Sequence, residues 1–208
     1  MSPRLLTRHL VAFDLGGVLY DIDILRCARS ARETLGVAGP ALEHAVFGEG
    51  LWQRLEVGRV DGDTFLRQVL TRLDVPVSTE NVAKLKHAWC SIIKLRAGAT
   101  SLLARVRVPC DVWSNTDPIH AGVVRETQEL ARHVERWALS YRLGVEKPCA
   151  DFFQQALELA DLPPWRAVYV DDRGENVAQA RALGVDAFVA TSLGMVQQGL
   201  AARGLLRP

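Results

Sequence analysis

Three short apolar runs end on residues able to do chemistry. HLVAF is followed by Asp14, CDVW by Ser114 and Asn115, and AVYV by Asp171 and Asp172. A hydroxyl beside the free N–H groups of a helix start can hold a phosphate. Two adjacent carboxylates repel each other unless a cation neutralises them. Carboxylates with small neighbours favour Mg²⁺, which takes oxygen ligands in octahedral geometry and keeps several waters. Lys147, just before Pro148, adds a point charge that could neutralise a carboxylate and a phosphoryl oxygen together. Each residue also has a plainer local reading. A lone Asp after a strand is often an N-cap or turn residue. In SNTDPIH, Thr116 or Asp117 can cap a helix with Pro118 in its first turn, and Ser114 then merely belongs to that turn. A surface lysine at a helix start would be unremarkable.

These residues need elements that bring them together. Five runs read as strands: His9–Phe13, Cys110–Trp113, Trp137–Tyr141, Ala167–Val170 and Asp186–Ala190. They are apolar on both parities, as strands buried on both faces of a parallel sheet are. Helical stripes separate them: Leu102, Leu103, Val106; Val123, Val124, Leu130, Ala131, Val134; Phe152, Phe153, Ala156, Leu157, Ala160; Val177, Ala180, Leu183. Strands alternating with helices imply right-handed βαβ units and a doubly wound sheet. Ligands of such sheets bind outside the carboxyl ends of the strands, where all these polar groups would converge. The alternation breaks between Tyr20 and Leu95, which shows no strand pattern. There the stripes Leu42/Ala45/Val46, Phe65/Val69/Leu73 and Val82/Leu85/Trp89/Ile92 lie between breaks at Gly36–Pro40, Gly58–Asp63 and Pro76–Thr79. The expected fold is α/β. A doubly wound, Rossmann-like parallel-sheet core (residues 1–19 and 96–208) carries an inserted all-helical cap (residues 20–95).

Composition narrows the partners. The chain has 208 residues, 49% of them hydrophobic and 24% charged, and a formal net charge of +1. That balance gives no electrostatic footprint for nucleic acid or an anionic membrane. Cys27, Cys90, Cys110 and Cys149 form no CxxC pair, a spacing that suits a reducing, cytoplasmic setting. The basic N-terminal stretch resembles a signal peptide until Asp14 interrupts its apolar run, so no targeting segment is expected. No stretch of about 18 apolar residues could span a bilayer. Oligomeric state is not legible.

In this order the motifs resemble those of the haloacid dehalogenase (HAD) superfamily over nearly the whole chain. FDLGGVLYD is similar to its first motif, WSNTD to the second, GVEKPCADFF to the third and VYVDDRGEN to the fourth. The insertion after the first strand is similar to the family's helical cap. The opening FDLG and the cap stretch WQRLEVGRVDGDTF most resemble sugar-phosphate phosphatases of the glucose-1-phosphatase type; the phosphatase domain of epoxide hydrolases is a more distant likeness. The resemblance implies a Mg²⁺-dependent phosphatase acting on a small phosphorylated metabolite, a sugar phosphate, through an aspartyl-phosphate. Asp14 would be the nucleophile. Asp14, the Gly16 carbonyl and Asp172 would hold Mg²⁺, with Asp171 acting through water or sharing ligation. Asn176 would steady the metal's water shell. Ser114 and Asn115 would bind the phosphoryl oxygens, and Lys147 would neutralise Asp14 and the phosphate.

One position departs from the pattern. The superfamily's phosphatases usually carry a second aspartate two residues after the nucleophile, as general acid/base; here it is Gly16. A missing acid/base can cost about 10²–10⁴ in rate. Glycine still offers its carbonyl to a metal, and the FDLG-type look-alikes share it. Asp21 and Asp23 are candidate substitutes, each with helix capping as the competing reading. Two other functions use the same residues: a metal-free 2-haloacid dehalogenase, which would leave Asp171-Asp172 unneutralised, and a non-catalytic module binding phosphate or protein. Trp52, Glu56 and Trp89 are candidates for setting specificity, although each also fits a core stripe. The 25 basic residues include only four lysines, so Lys at position 147 is itself a weak signal for a compact ammonium there.

Overall fold

The computed structural model describes residues 9–207, so the first residues of the basic N-terminal stretch lie outside it. Its centre is a five-stranded parallel sheet: β1 (Leu10–Phe13), β4 (Cys110–Ser114), β5 (Val134–Leu139), β6 (Ala167–Asp171) and β7 (Asp186–Val189), ordered β5-β4-β1-β6-β7. β1 shows why apolar runs work here. Val11 and Phe13 enter the core on one face of the sheet, while Leu10 and Ala12 enter the core on the other. Side chains alternate across a strand, so both parities must be apolar.

Five helices follow β1: α1 (Ile24–Leu35), α2 (Gly39–Phe47), α3 (Leu51–Glu56), α4 (Gly62–Arg72) and α5 (Thr79–Cys90). They close on a separate apolar cluster that includes Leu51, Leu55, Phe65, Val69, Leu85 and Trp89. Asp61 and Ser78 cap α4 and α5, each accepting a hydrogen bond from the backbone N–H three residues on. The insertion is not wholly helical as expected. β2 (Tyr20–Ile22) and β3 (Ile93–Leu95) pair antiparallel where the chain leaves and re-enters the core. Three-residue strands are too short to show a period, so the pattern could not reveal them. Arg96 ties this stem down: Nε donates to Asp21 Oδ1 (2.8 Å), and Nη1 to the carbonyls of Val18 (3.2 Å) and Thr191 (3.0 Å). At Gly58 (φ +69°) a Cβ would overlap the Tyr141 carbonyl, so only glycine allows the insertion this close to the core.

The remaining helices, α6 (Ala99–Ala104), α7 (Pro118–Glu126), α8 (Gln128–Ala131), α9 (Ser140–Leu143), α10 (Ala150–Ala160), α11 (Gly174–Ala182) and α12 (Leu193–Ala202), surround the sheet. Two boundaries differ from expectation. The Val123–Val134 stripe breaks at Thr127 into α7 and α8, and its last residue opens β5. The strand expected at Trp137–Tyr141 starts three residues earlier, and its end is taken by α9. No helix among the described residues is long and apolar enough to cross a membrane. All four cysteines are free.

Candidate active site

β1 lies between β4 and β6, so their carboxyl ends stand side by side. Asp14 follows β1, Ser114 ends β4, and Asp171 ends β6 with Asp172 next. Parallel register brings together residues 100 and 157 positions apart in the chain. The Asp14 N–H donates to the Val170 carbonyl (2.9 Å), which fixes the nucleophile candidate against β6. Carboxylate oxygens of Asp14, Asp171 and Asp172 lie within 4.8 Å of one another.

Lys147 enters this acidic group from the loop before α10 and is 3% exposed. Its Nζ lies 2.9 Å from Asp14 Oδ1 and 2.7 Å from Asp171 Oδ2, and donates to the Trp113 carbonyl (3.0 Å) and Tyr169 hydroxyl (2.8 Å). The plainer reading, a surface lysine, is thereby excluded. Asn115 holds the lysine's backbone: Nδ2 donates to the Lys147 carbonyl (2.9 Å) and Oδ1 accepts its N–H (2.8 Å). The Asn115 amide is thus spent on positioning Lys147.

Asp171 is saturated. Oδ2 accepts from Lys147, from the Tyr169 hydroxyl and from Asn176 Nδ2 (3.0 Å). Oδ1 accepts from the Arg173 N–H (2.8 Å) and Asn176 Nδ2 (3.1 Å). Burial raises its pKa, but the Lys147 charge and these hydrogen bonds outweigh that and hold the carboxyl below its usual range. Asp14 balances the other way. Burial dominates, Lys147 opposes it, Asp171 adds to it, and the pKa rises to about 6. Asp172 is also raised, by burial and then by Asp171. These are the marks of carboxylates short of positive charge.

The donor set fits a hard divalent cation. Besides the three carboxylates, Asn176 Oδ1 is buried without a hydrogen-bond partner among the described residues. Gly17 (φ +71°) leaves room that a Cβ would take from the Asp172 carboxylate. Asn176, from α11, therefore presents an oxygen that no described residue satisfies, beside the Asp172 carboxylate.

Beside this cluster, α7 begins as one capping reading expected. Asp117 Oδ1 accepts from the N–H groups of Ile119 (2.8 Å) and His120 (3.0 Å), and Pro118 fills the first helical position. Thr116 is not the cap; its N–H donates to Ser140 Oγ (3.0 Å). Sequence reasoning missed His120, whose Nδ1 lies 2.5 Å from Asp117 Oδ2 and whose Nε2 lies 2.9 Å from the Trp89 carbonyl on α5. Only an imidazolium donates from both nitrogens, and His120 does have a raised pKa: burial opposes it, but Asp117 outweighs burial. Asp117 is lowered by His120 and the backbone N–H groups against burial. The histidine share of this stabilisation is complete below about pH 6.5 and lost as pH rises through the raised pKa; the aspartate share is complete above about pH 3.9 and lost below it. His120→Ala is expected to cost about 3 kcal/mol in urea unfolding near pH 6, because it strands a buried carboxylate. The deficit against wild type should shrink as pH rises above the histidine's folded pKa. A deficit that does not change with pH would mean that His120 acts by packing alone.

A cavity of about 430 Å³ opens over the cluster, lined by Asp14, Gly16, Lys147, Asp172 and Asn176, with Trp52 and Glu56 from the insertion. The other two candidate acids lie elsewhere: Asp21 pairs with Arg96 (2.8 Å) and Asp23 with Arg26 (3.2 Å). Glu56 does reach the cavity, and its pKa rises to about 7 through burial and then the charges of Glu146 and Asp117, which Arg173 and His120 only partly offset. Trp89, the third specificity candidate, lines an adjoining cavity and also belongs to the cap's own core. Sequence patterns gave no sign of Tyr169's part, since its hydroxyl is reached only through β6 register.

A family model described as haloacid dehalogenase-like hydrolase matches residues 9–184. Among curated proteins, the chain is 26% identical to a D-ribitol-5-phosphate phosphatase of Bacteroides thetaiotaomicron, over 86% of this chain and 89% of the relative. It is 25% identical to the sesquiterpene phosphatase astK of Aspergillus oryzae, over 83% and 85%. Its fold resembles that of a HAD family enzyme of Bacteroides thetaiotaomicron solved with magnesium and inorganic phosphate (TM-score 0.77, 23% identity, 88% of this chain and 93% of that one). It also resembles an L-2-haloacid dehalogenase of Xanthobacter autotrophicus (TM-score 0.65, 17% identity, 97% and 85%).

Proposed function

This chain belongs to the haloacid dehalogenase-like hydrolase family, and from that membership we propose that it is a Mg²⁺-dependent phosphatase working through an aspartyl-phosphate on Asp14. The observation that carries the reading is one buried ammonium, Lys147, set between Asp14 and Asp171 while Asp172 stands beside them with no salt-bridge partner of its own among the described residues. Asp14, Asp172 and the Gly16 carbonyl would hold the Mg²⁺, with Asp171 and Asn176 contributing through its water shell. When bound, the ion supplies positive charge to the phosphoryl oxygens.

The residues then divide the work. Asp14 attacks phosphorus in line; a carboxylate–phosphorus bond forms as the bond to the leaving alcohol oxygen breaks. The departing alkoxide takes a proton from solvent water; a second water then attacks phosphorus, the bond from Asp14 to phosphorus breaks, the water's proton passes to solvent, and inorganic phosphate leaves. Ser114 and the N–H groups beside it bind phosphoryl oxygens. Lys147 neutralises Asp14 and the transferring group, while Asp171, Tyr169 and Asn115 keep its ammonium in place. Positioning and charge supply most of the rate in such transfers.

A panel of phosphate monoesters and para-nitrophenyl phosphate, with and without Mg²⁺, tests the reading: Mg²⁺-dependent phosphate release is expected. Release of chloride from 2-chloropropionate without metal would instead favour dehalogenation, a chemistry that leaves three clustered carboxylates with one ammonium. Binding of phosphate with no turnover would favour a non-catalytic module. The expected substrate is a small organic phosphate. The D-ribitol-5-phosphate phosphatase relative supports a polyol or sugar body, and the sesquiterpene phosphatase relative supports an apolar one.

Gly16 bears on the rate. A Cβ there would meet Ile22 Cδ1 at 2.5 Å, the tip of a side chain 56% exposed and free to turn aside. Gly16→Asp is therefore expected to fold and to raise kcat on an alkyl phosphate by about 10-fold or more, part of the usual acid/base contribution. Lost turnover would show that the glycine belongs to a geometry that excludes a carboxylate.

A further inference from the structure

The space next to the phosphate cavity is unlike it. A cavity of about 250 Å³ lies between the insertion and the sheet, walled by Tyr20, Ile22, Phe47, Trp52, Trp89 and Val124. Gly16, Ile22, Trp52, Glu56 and Asn115 border both spaces. An alcohol esterified to a phosphate at Asp14 therefore has this second space beside it.

Most polar groups on its wall are already engaged. Both Asp117 oxygens and both His120 nitrogens are taken, and the Asn115 amide clasps the Lys147 backbone. The Tyr20 hydroxyl reaches Thr127 Oγ1 (3.5 Å). The Ser114 hydroxyl donates to the Asn115 carbonyl (3.2 Å) and is assigned to the phosphate. Among the other side chains, what stays available is the Glu56 carboxyl, the Thr116 hydroxyl and the Trp89 indole N–H, which is buried without a hydrogen-bond partner among the described residues. A five-carbon polyol with four free hydroxyls seeks about twelve hydrogen bonds, at about three per hydroxyl. Three protein groups leave most of these unmade, and a hydroxyl buried unpaired disfavours binding.

The apolar character also continues outward. An adjoining cavity of about 270 Å³ is lined by Ile24, Leu25, Cys27, Phe47, Trp89 and Ile92, four of which border the first. Ile24, Leu25 and Phe47 remain 54%, 67% and 38% exposed around it, and Ile22 is 56% exposed beside the first cavity. Clustered exposed apolar side chains mark an interaction surface, and these adjoin two apolar cavities that lead to the phosphate site.

We infer that the substrate is the phosphate monoester of an apolar aliphatic alcohol, seated with its phosphate at Asp14 and its chain between Ile22, Trp52 and Trp89. A cavity of roughly 150 Å³ accommodates benzene, so the inner space takes about ten carbon atoms. The inference rests on the phosphatase reading above.

The test compares kcat/KM for monoesters of primary alcohols, whose leaving groups are chemically alike: ethyl, butyl, hexyl, octyl and geranyl phosphate against ribitol 5-phosphate and glucose 6-phosphate. The expected result is a steep rise along the alkyl series, with octyl and geranyl phosphate exceeding the polyol phosphates by about 10²-fold, since one methylene in an apolar pocket discriminates by about 10-fold or more. Phe47→Ser, at a partly exposed residue bordering both apolar cavities, is expected to lower the octyl-to-ethyl ratio several-fold. Polyol phosphates equal to or better than the alkyl series, or no dependence on chain length, would overturn the inference while leaving Mg²⁺-dependent hydrolysis of para-nitrophenyl phosphate, and so the phosphatase reading, intact. No hydrolysis of any monoester would remove both.

Discussion

Asp14→Asn is expected to lower phosphate release by about 10⁴-fold or more, as removal of a covalent nucleophile does elsewhere, while leaving the fold intact. The amide keeps the shape of the carboxylate and the backbone bond to Val170, but it cannot form an acyl phosphate. A second signature separates lost chemistry from lost structure. Burial keeps the Asp14 pKa up at about 6, so its charged form is costly in the metal-free protein even beside Lys147. A carboxyl whose folded pKa lies above its unfolded value favours folding most at low pH, and that contribution is lost as pH rises from about 4 through 6. Removing the ionisable group at pH 7 should therefore leave the metal-free melting temperature unchanged or higher. Mg²⁺ should raise the wild-type melting temperature more than that of the variant, because ligand binding to the folded state alone is stabilising. A variant that loses activity and melts several degrees lower would instead assign Asp14 a structural role.

The same residue shows which parts of the site could be read before the fold was known. Asp14, Ser114 and Asp171-Asp172 were visible because a parallel sheet writes its site into the sequence as a repeated phrase, an apolar run ending in a polar residue. The strand order then put those three ends next to one another. Lys147 was legible from its motif and from the scarcity of lysine, but its surroundings were not. Tyr169 and the Trp113 carbonyl reach Nζ from strand interiors, and nothing local distinguishes an interior tyrosine that packs from one that also donates a hydrogen bond. For Asn115, beside Ser114, the family resemblance implies a phosphate-binding role. Its side chain faces the Lys147 backbone 32 residues away, a contact that only the fold creates.

The insertion was harder for a different reason. Its breaks at Gly36–Pro40, Gly58–Asp63 and Pro76–Thr79 do separate helices, but sequence reasoning missed α1, although Ile24, Cys27, Ala31 and Leu35 repeat at helical spacing along it, and α3, which is too short to show a period. α1 has only Cys27 and Ala31 fully buried, and α3 has six residues. The apolar wall beside the phosphate cavity is likewise assembled from β2, α2, α3, α5 and α7, one or two residues from each. In sequence these residues are single core positions; together they are the surface that any leaving group must meet.

Lys147→Met is expected to be the most destabilising single change in the site. Nζ is the only ammonium or guanidinium within salt-bridge distance of Asp14 and Asp171 among the described residues. Losing it leaves two buried carboxylates facing each other, and breaking a buried pair from one side costs about 3–5 kcal/mol. Both carboxyl pKa values should then rise, so the metal-free variant should regain stability as pH falls and the carboxyls protonate. Urea midpoints at pH 5 and pH 7.5 test this directly; a loss of equal size at both would mean that the lysine acts by packing. Lys147→Arg keeps the charge and isolates geometry. The ammonium meets oxygens of Asp14, Asp171, Trp113 and Tyr169 at 2.7–3.0 Å around one small centre. A planar guanidinium spreads its donors over a wider fork and cannot converge on that point. Arg is thus expected to restore much of the stability missing in Met but to leave activity about 10²-fold below wild type, because the charge that must meet both Asp14 and the phosphoryl group is displaced. Wild-type turnover in Lys147→Arg would show that net charge, not its placement, is what the reaction takes from this residue.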